Sequence, residues 1–359
     1  MLNNIKKCYT YDDVNIVPKY SEVESRDDAK LNTRFTKNTE LTMPIVTSPM
    51  DTITEGDMAI EMARLGGVGI VHRFNTIEHQ VKILSKVFEN FDDISIEDAK
   101  KYGYPTRPIS AATGVTGDYL ERTEELFING CNVIVIDVAH GHHKLVGDAI
   151  EKIKTRLSKI EVVAGSVATA EATKYLCEKG ADSIRVGIGN GSLCETRIRT
   201  GVGIPQVTAL IDCVSIADDY NVPIIADGGV RNIGDVCKGL ACGADTIMLG
   251  SLLSGTKETP GSIEKIGEWP NEKLFKKYRG SASLDSKKSR GHTKNVEGNH
   301  KVIPYKGKVK RIINDIQDGI RSSFSYVGAN TMDEFHSKVE LIEVTKAGNL
   351  EGKPHLLNS

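Results

Sequence analysis

Val133-Ile134-Val135-Ile136 has no polar face. Successive side chains of a strand point to opposite sides, so such a run needs apolar cover on both. A parallel sheet with helices packed against it provides that cover. The pattern recurs along the chain. Short runs rich in Val and Ile lie at 43–48, 67–71, 108–112, 132–137, 161–165, 183–186, 223–226 and 246–249. Helical patterns separate them. Val146, Ile150, Ile153 and Leu157 share one helical face, while Glu151, Lys152, Lys154 and Arg156 fall away from it. Stretches 170–179 and 233–240 also read as helices. Eight successive βα units predict a closed (β/α)8 barrel, the TIM barrel, ahead of an open doubly wound sheet.

Gly-Ala-Asp occurs at Gly180-Ala181-Asp182 and again at Gly243-Ala244-Asp245, each time between a helix and a strand. The glycine suits a left-handed helix end. Two segments break the rhythm. Residues 88–104 are acidic and polar, and lengthen the connection between the second and third strands. Residues 255–304 are long, charged and poor in aliphatics, which predicts a mobile lid or disorder. No Pro/Ser-rich linker appears, so residues 1–359 read as one domain with a flap near 279–303.

Composition removes other classes. With 39% hydrophobic and 26% charged residues and a net charge of -2, the chain is neither disordered nor a binder of nucleic acid. No apolar run reaches the roughly 18 residues that a membrane span needs. Met1 to Lys7 lacks the apolar core of a secretory signal. The seven cysteines include no C-x-x-C pair, so neither a disulfide framework nor a zinc site is expected. Reduced thiols in a cytoplasmic protein are the expectation.

Barrels of this class carry their sites at the C-terminal strand ends. Polar or glycine-rich residues occupy those ends here, most densely in Gly187-Ile188-Gly189-Asn190-Gly191-Ser192-Leu193-Cys194. Its alternating glycines let the backbone turn amides toward an anion or carbonyls toward a cation. Cys194, close to Thr196 and Arg197, can react as a thiolate of depressed pKa. The adjacent Glu195 carboxylate would oppose that depression unless it points away. G-x-G-x-x-G spacing is absent, so a dinucleotide would not be held as in a Rossmann fold. Asp227-Gly228-Gly229 and Gly250-Ser251 suit a phosphate, with Asp227 placed for a ribose diol. His140, His142 and His143 lack zinc-like partners and read as solvent- or substrate-facing. Lys306, Lys308 and Lys310 read as a solvated face.

The stretch from Gly187 to Arg197, followed by Thr200-Gly201-Val202-Gly203-Ile204-Pro205-Gln206, resembles the catalytic loop of the IMP dehydrogenase/GMP reductase family. Tyr11-Asp12-Asp13-Val14, Ser48-Pro49-Met50-Asp51-Thr52, Asp227-Gly228-Gly229 and Pro304-Tyr305-Lys306-Gly307 add to the likeness, which spans essentially the whole chain. The resemblance implies the same barrel. It implies that Cys194 adds to carbon 2 of a purine nucleotide, with Thr196 and Glu297 handling protons. Ser48, Met50, Ser192, Asp227, Gly228, Gly229, Gly250, Ser251, Tyr278, Gly280 and Ser281 match nucleotide contacts. Arg73, Asp137, Val138, Ala139, Ile188, Gly189, Ser322 and Ser325 match the dinucleotide side. Gly189, Gly191 and Cys194 match carbonyls that hold a monovalent cation, usually potassium. A homotetramer is the family habit.

Within the family the chain looks closer to GMP reductase. There is no room at 88–104 for the regulatory CBS insertion usual in IMP dehydrogenases, although some of these lack it. The segment from Tyr278 to Glu297 is short, and Arg290 is followed by Gly291 where dehydrogenases place an Arg-Tyr pair. Asp137-Val138-Ala139-His140-Gly141 and His72-Arg73-Phe74 also look reductase-like, whereas Ser48-Pro49-Met50 is closer to dehydrogenases. Ser166 stands where both branches usually have Asn. The implied substrates are GMP and NADPH, or IMP and NAD if the chain is a dehydrogenase. A phosphate-binding barrel isomerase and a non-catalytic nucleotide sensor are the alternatives from other classes.

Overall fold

The computed structural model describes residues 5–90, 108–268, 270–280 and 300–353. Eight parallel strands close into a barrel: β1 (Ile45–Thr47), β2 (Val68–Val71), β3 (Ser110–Thr113), β4 (Val133–Ile136), β5 (Glu161–Val167), β6 (Ser183–Val186), β7 (Ile224–Asp227) and β8 (Thr246–Leu249). Closure runs through β8 and β1, where Ile247, Met248 and Leu249 pair with Ile45, Val46 and Thr47. Every run expected as a strand is one. The helices α1 (Gly56–Arg64), α2 (Ile77–Glu89), α3 (Tyr119–Ile128), α4 (Lys144–Arg156), α5 (Ala170–Glu178), α6 (Gln206–Ala217), α7 (Ile233–Ala241) and α8 (Val309–Val327) complete the units. Phe88 and Glu89 close α2 rather than beginning an irregular segment. The rest of the acidic stretch, from residue 91, lies outside the described residues.

The two-sided burial of β4 is explicit. Val133 and Val135 join Val46, Val68, Ile70, Ala112, Val163, Ile225 and Met248 inside the barrel. Ile134 and Ile136 join the layer beneath the helices. The N-terminal end of the barrel is plugged. A hairpin of Thr33–Arg34 and Glu40–Leu41 places Phe35 and Leu41 in the inner cluster. Glu161 holds it there, accepting from the Asn38 amide at 2.9 Å and the Thr39 hydroxyl at 2.6 Å. Among the described residues, the C-terminal mouth is the open end of the barrel.

The two Gly-Ala-Asp turns share one device. Gly180 and Gly243 take φ of 93° and 91°. The aspartates then reach back to the preceding strand. Asp182 accepts from the Val162 amide at 2.7 Å, and Asp245 from the Ile224 amide at 2.8 Å. Burial pushes Asp245 up to about 6 from 3.8, against the pull of the Ile224 amide and Arg34. A folded value above the unfolded one means stability is present below about pH 4 and lost as pH rises through about 6. Asp245→Asn keeps an acceptor for Ile224 without the charge. Denaturant melts at about pH 4.5 and about pH 8 are expected to differ less for the variant, by at most about 3 kcal/mol. An unchanged pH difference would refute this assignment.

The segment expected to be a lid or disordered contains a sheet instead. Strands β9 (Glu264–Ile266), β10 (Lys273–Arg279) and β11 (His300–Pro304) pair antiparallel. The period-two pattern of β10 was hidden because one inward position is Lys276. That lysine is 2% exposed, and its ammonium donates to the carbonyls of Thr256, Lys257 and Thr259. Arg279 then ties β10 to the loop after β1, its Nη2 2.6 Å from Asp51. Residues 281–299 lie outside the described residues.

Candidate active site

The C-terminal mouth opens into a cavity of about 660 Å³. That is within the range of small-molecule sites. The loop after β6 forms one wall. Gly187 has φ of 152°, and a Cβ there would lie 1.9 Å from the Asp227 carbonyl oxygen, so only glycine lets these loops touch. Arg197 folds back inside the loop and donates to the carbonyls of Ile188 and Ile204. Cys194 donates its amide to Gly191 at 3.0 Å. Its Sγ is 3.1 Å from Thr196 Oγ1. A thiol paired with a hydroxyl on the wall of a cavity is suited to covalent addition with a proton relay. Glu195 is ion-paired, accepting from Arg199 Nε at 2.6 Å.

The loops after β7 and β8 form the opposite wall, with Asp227, Gly228, Gly229, Gly250 and Ser251 on the cavity. The amides of Gly228, Gly250 and Ser251 have no acceptor among the described residues. Free amides beside small side chains are what an anion needs. Ser48, Met50 and Gly280 line the same side. Tyr278 reaches across from β10 to Ser192, hydroxyl to hydroxyl at 3.1 Å. Burial raises the Tyr278 hydroxyl above its ordinary pKa, and the Ser192 bond opposes the rise. Met50, Ile53, Leu193, Tyr278 and Ile303 make a separate apolar cluster beneath this sheet.

The remaining wall carries Arg73, Asp137, Val138, Ala139 and Ile188. Arg73 donates to the Asp137 carbonyl through Nε at 3.2 Å and Nη2 at 3.0 Å. Below them lies Arg185, a residue that sequence reading missed. It is 5% exposed, with Nη2 3.0 Å from Asp137 Oδ1 and Nη1 3.7 Å from Asp227 Oδ2. Burial works against its charge, but the two aspartates outweigh burial and raise its pKa. Burial pushes the Asp227 carboxyl up, and Arg185 opposes that rise. The one available signal was a charge at an inward position of Ser183-Ile184-Arg185-Val186. Asn190 and Gln206 were missed as well. Asn190 donates to Gln206 Oε1, and Gln206 donates to the carbonyls of Val186 and Asp227, which locks the two main loops together.

Not every expected site residue meets the cavity. Ser322 and Ser325 sit on α8, away from its lining, and Ser322 accepts from Arg26 at 3.0 Å. Ser281 and Glu297 lie outside the described residues. His143 caps α4 by accepting from the Leu145 amide, and the His142 ring lies 5.3 Å from that of Tyr175. Lys306 does not simply face water. Its ammonium donates to Ser251 O at 3.1 Å and Leu252 O at 3.0 Å.

The profile of the IMP dehydrogenase / GMP reductase domain matches residues 8–355. The chain belongs to this family. An inosine-5'-monophosphate dehydrogenase of Cryptosporidium parvum is 39% identical over 98% of this chain and 96% of its own. One from Nitrosopumilus maritimus is 33% identical, covering 98% of each chain. That alignment runs over 472 positions, so the relative carries insertions that this chain lacks. Among solved structures, a Cys-to-Ala variant of GMP reductase from Trypanosoma brucei, in complex with guanosine 5'-monophosphate, superposes with a TM-score of 0.89. It is 28% identical, and the match covers 98% of each chain. The family consists of nicotinamide-dependent oxidoreductases acting on purine nucleotides.

Proposed function

We propose that this protein is a GMP reductase, converting GMP to IMP and ammonia with NADPH. One observation carries the choice within the family. The connection between β10 and β11 has only 20 residues and contains no Arg-Tyr pair. A dehydrogenase must activate water to hydrolyse its covalent intermediate, which calls for a strong base on that connection. A reductase expels ammonia instead. The bound GMP named for the Trypanosoma brucei neighbour favours the same substrate.

In this reading the phosphate lies on the amides of Gly228, Gly250 and Ser251, and the ribose on Asp227. Cys194 Sγ bonds to carbon 2, and the 2-amino group leaves as ammonia with a proton relayed through Thr196 and Glu297. The nicotinamide cofactor, when bound, supplies the hydride. Carbon 2 takes that hydride, the C–S bond breaks and Sγ leaves as thiolate. Arg73, Asp137, Val138 and Ala139 line the part of the cavity left for the nicotinamide. The carbonyls of Gly189, Gly191 and Cys194 would hold a monovalent cation such as potassium. Neutral carbonyl oxygens suit such an ion, and it would stiffen the loop that carries Sγ.

The second reading is an IMP dehydrogenase without CBS domains. Ser48-Pro49-Met50 and the curated relatives favour it. Nicotinamide absorbance with purified protein separates the two. Consumption of NADPH with GMP, one ammonia released per turnover, is the expected outcome. Reduction of NAD with IMP, and nothing in the other direction, would overturn it.

A further inference from the structure

The Lys306 ammonium holds two consecutive carbonyls of the loop after β8, at Ser251 and Leu252. A trans peptide points its C=O and N–H in opposite directions. Fixing the Ser251 carbonyl therefore fixes the Leu252 amide on the other side of the same peptide. The amides of Gly250, Ser251 and Leu252 have no acceptor among the described residues. Ser251 lines the cavity, whereas Lys306 does not, so the lysine acts from behind the loop. Its backbone is stapled in place. The Lys306 amide donates to Gly255 O at 2.8 Å, and the Lys257 amide to Gly307 O at 2.7 Å. A lysine with a fixed root loses less freedom on making these bonds. The Ser254 hydroxyl adds a second donor to Ser251 O at 2.6 Å. A turn whose outer carbonyls accept three hydrogen bonds is preorganised, and the charge behind it favours an anion in front.

We propose that Lys306 is a positioning residue of the phosphate subsite, holding the Gly250–Leu252 turn in its anion-binding form from outside the cavity. This rests on the reading of that turn as the seat of a nucleoside monophosphate. The proposal concerns affinity for the phosphate rather than chemistry at carbon 2. It therefore separates nucleotide from nucleoside. Lys306→Met keeps the length of the side chain and removes its donors. Lys306→Arg keeps charge and donors.

The test measures KM and kcat with GMP and NADPH and with IMP and NAD, together with the Kd of IMP, of inosine and of inorganic phosphate. The expected result for Lys306→Met is a rise of about tenfold in the KM and Kd of the nucleotide, as for one lost charge-assisted contact. Phosphate binding weakens in parallel. The Kd of inosine stays the same, and kcat changes by less than about threefold. Lys306→Arg recovers most of the loss. Equal weakening of IMP and inosine, or no change in either, overturns the proposal. If the Met variant does not fold, Lys306→Gln in the same binding comparison decides. A wild-type protein that binds IMP but turns over neither pair refutes the proposed activity and leaves the lysine test intact. A wild-type protein that binds IMP no better than inosine refutes the phosphate seat, and Lys306 with it.

Discussion

Cys194→Ala is expected to abolish turnover with either substrate pair, by at least about four orders of magnitude, while nucleotide affinity changes less than about tenfold. Among the described residues, the sulfur is the one strong nucleophile on the cavity wall. Thr196, 3.1 Å away, is suited to pass a proton and not to replace it. Removing a nucleophile eliminates the covalent path, whereas the proposed phosphate and ribose contacts involve the loops after β7 and β8. Thiol chemistry offers a parallel measurement. Burial pushes Cys131, Cys213 and Cys242 up to about 12, and Cys177 and Cys237 to about 11. Those five should resist alkylation near neutral pH, because the thiolate is the reactive form. Iodoacetamide should modify Cys194, and bound nucleotide should protect it. Mass spectrometry of the labelled peptides reads both effects. A Cys194→Ala variant that keeps activity would exclude the covalent mechanism in the reductase and dehydrogenase readings alike.

The second large effect is on stability. Arg185→Met is expected to cost about 3–5 kcal/mol at pH near 8, the usual result of stripping one partner from buried charges. Arg73 remains 3.7 Å from Asp137, but Asp227 loses the guanidinium that opposes its burial. The folded pKa of Asp227 then rises further above its unfolded value. With that sign, stability is retained where the carboxyl is protonated and lost as pH rises through the raised pKa. The deficit relative to wild type should therefore shrink toward about pH 5. Arg73, Tyr11 and Tyr278 are the other ionisable groups around the two carboxyls. Arg185→Lys should recover much of the loss. Guanidinium melts at both pH values decide the matter, and a deficit of equal size at each would mean that packing, not charge, is what the arginine supplies.

The parts of the site that could be read early are the parts written in short stretches of chain. Gly187, Gly189 and Gly191 before Cys194 announce a bent loop, because a positive φ needs glycine and Gly187 and Gly189 adopt one. Asp227-Gly228-Gly229 and Gly250-Ser251 stand out for the same reason. Arg185 was not legible as part of the site. Its partner Asp137 is 48 residues distant, and nothing local marks the pair. Lys306 is exposed, as expected, but its two hydrogen bonds were not legible because Lys306, Lys308 and Lys310 look alike as a charge pattern. Only its distance to Ser251 and Leu252 separates it from its neighbours. The hairpin that plugs the barrel was missed because its strands are two residues each, too short to show a period.

The sequence by itself determined the barrel, its open end and the cysteine loop. Two-sided burial of β4 and its counterparts demands a helix-covered parallel sheet, and each such run is a short continuous apolar stretch of chain. Strand ends are equally local, so the polar residues that face the mouth were visible as well. Only the tertiary structure decided which of these residues meet. It brought Arg185 between Asp137 and Asp227, set Lys306 against the Gly250–Leu252 turn, and left Ser322 and Ser325 on α8 outside the cavity. Those contacts depend on the register of β4 against β5, β5 against β6 and β6 against β7, and on closure through β8 and β1. Register is settled by the packing of the whole inner cluster at once, and no single stretch of chain encodes it.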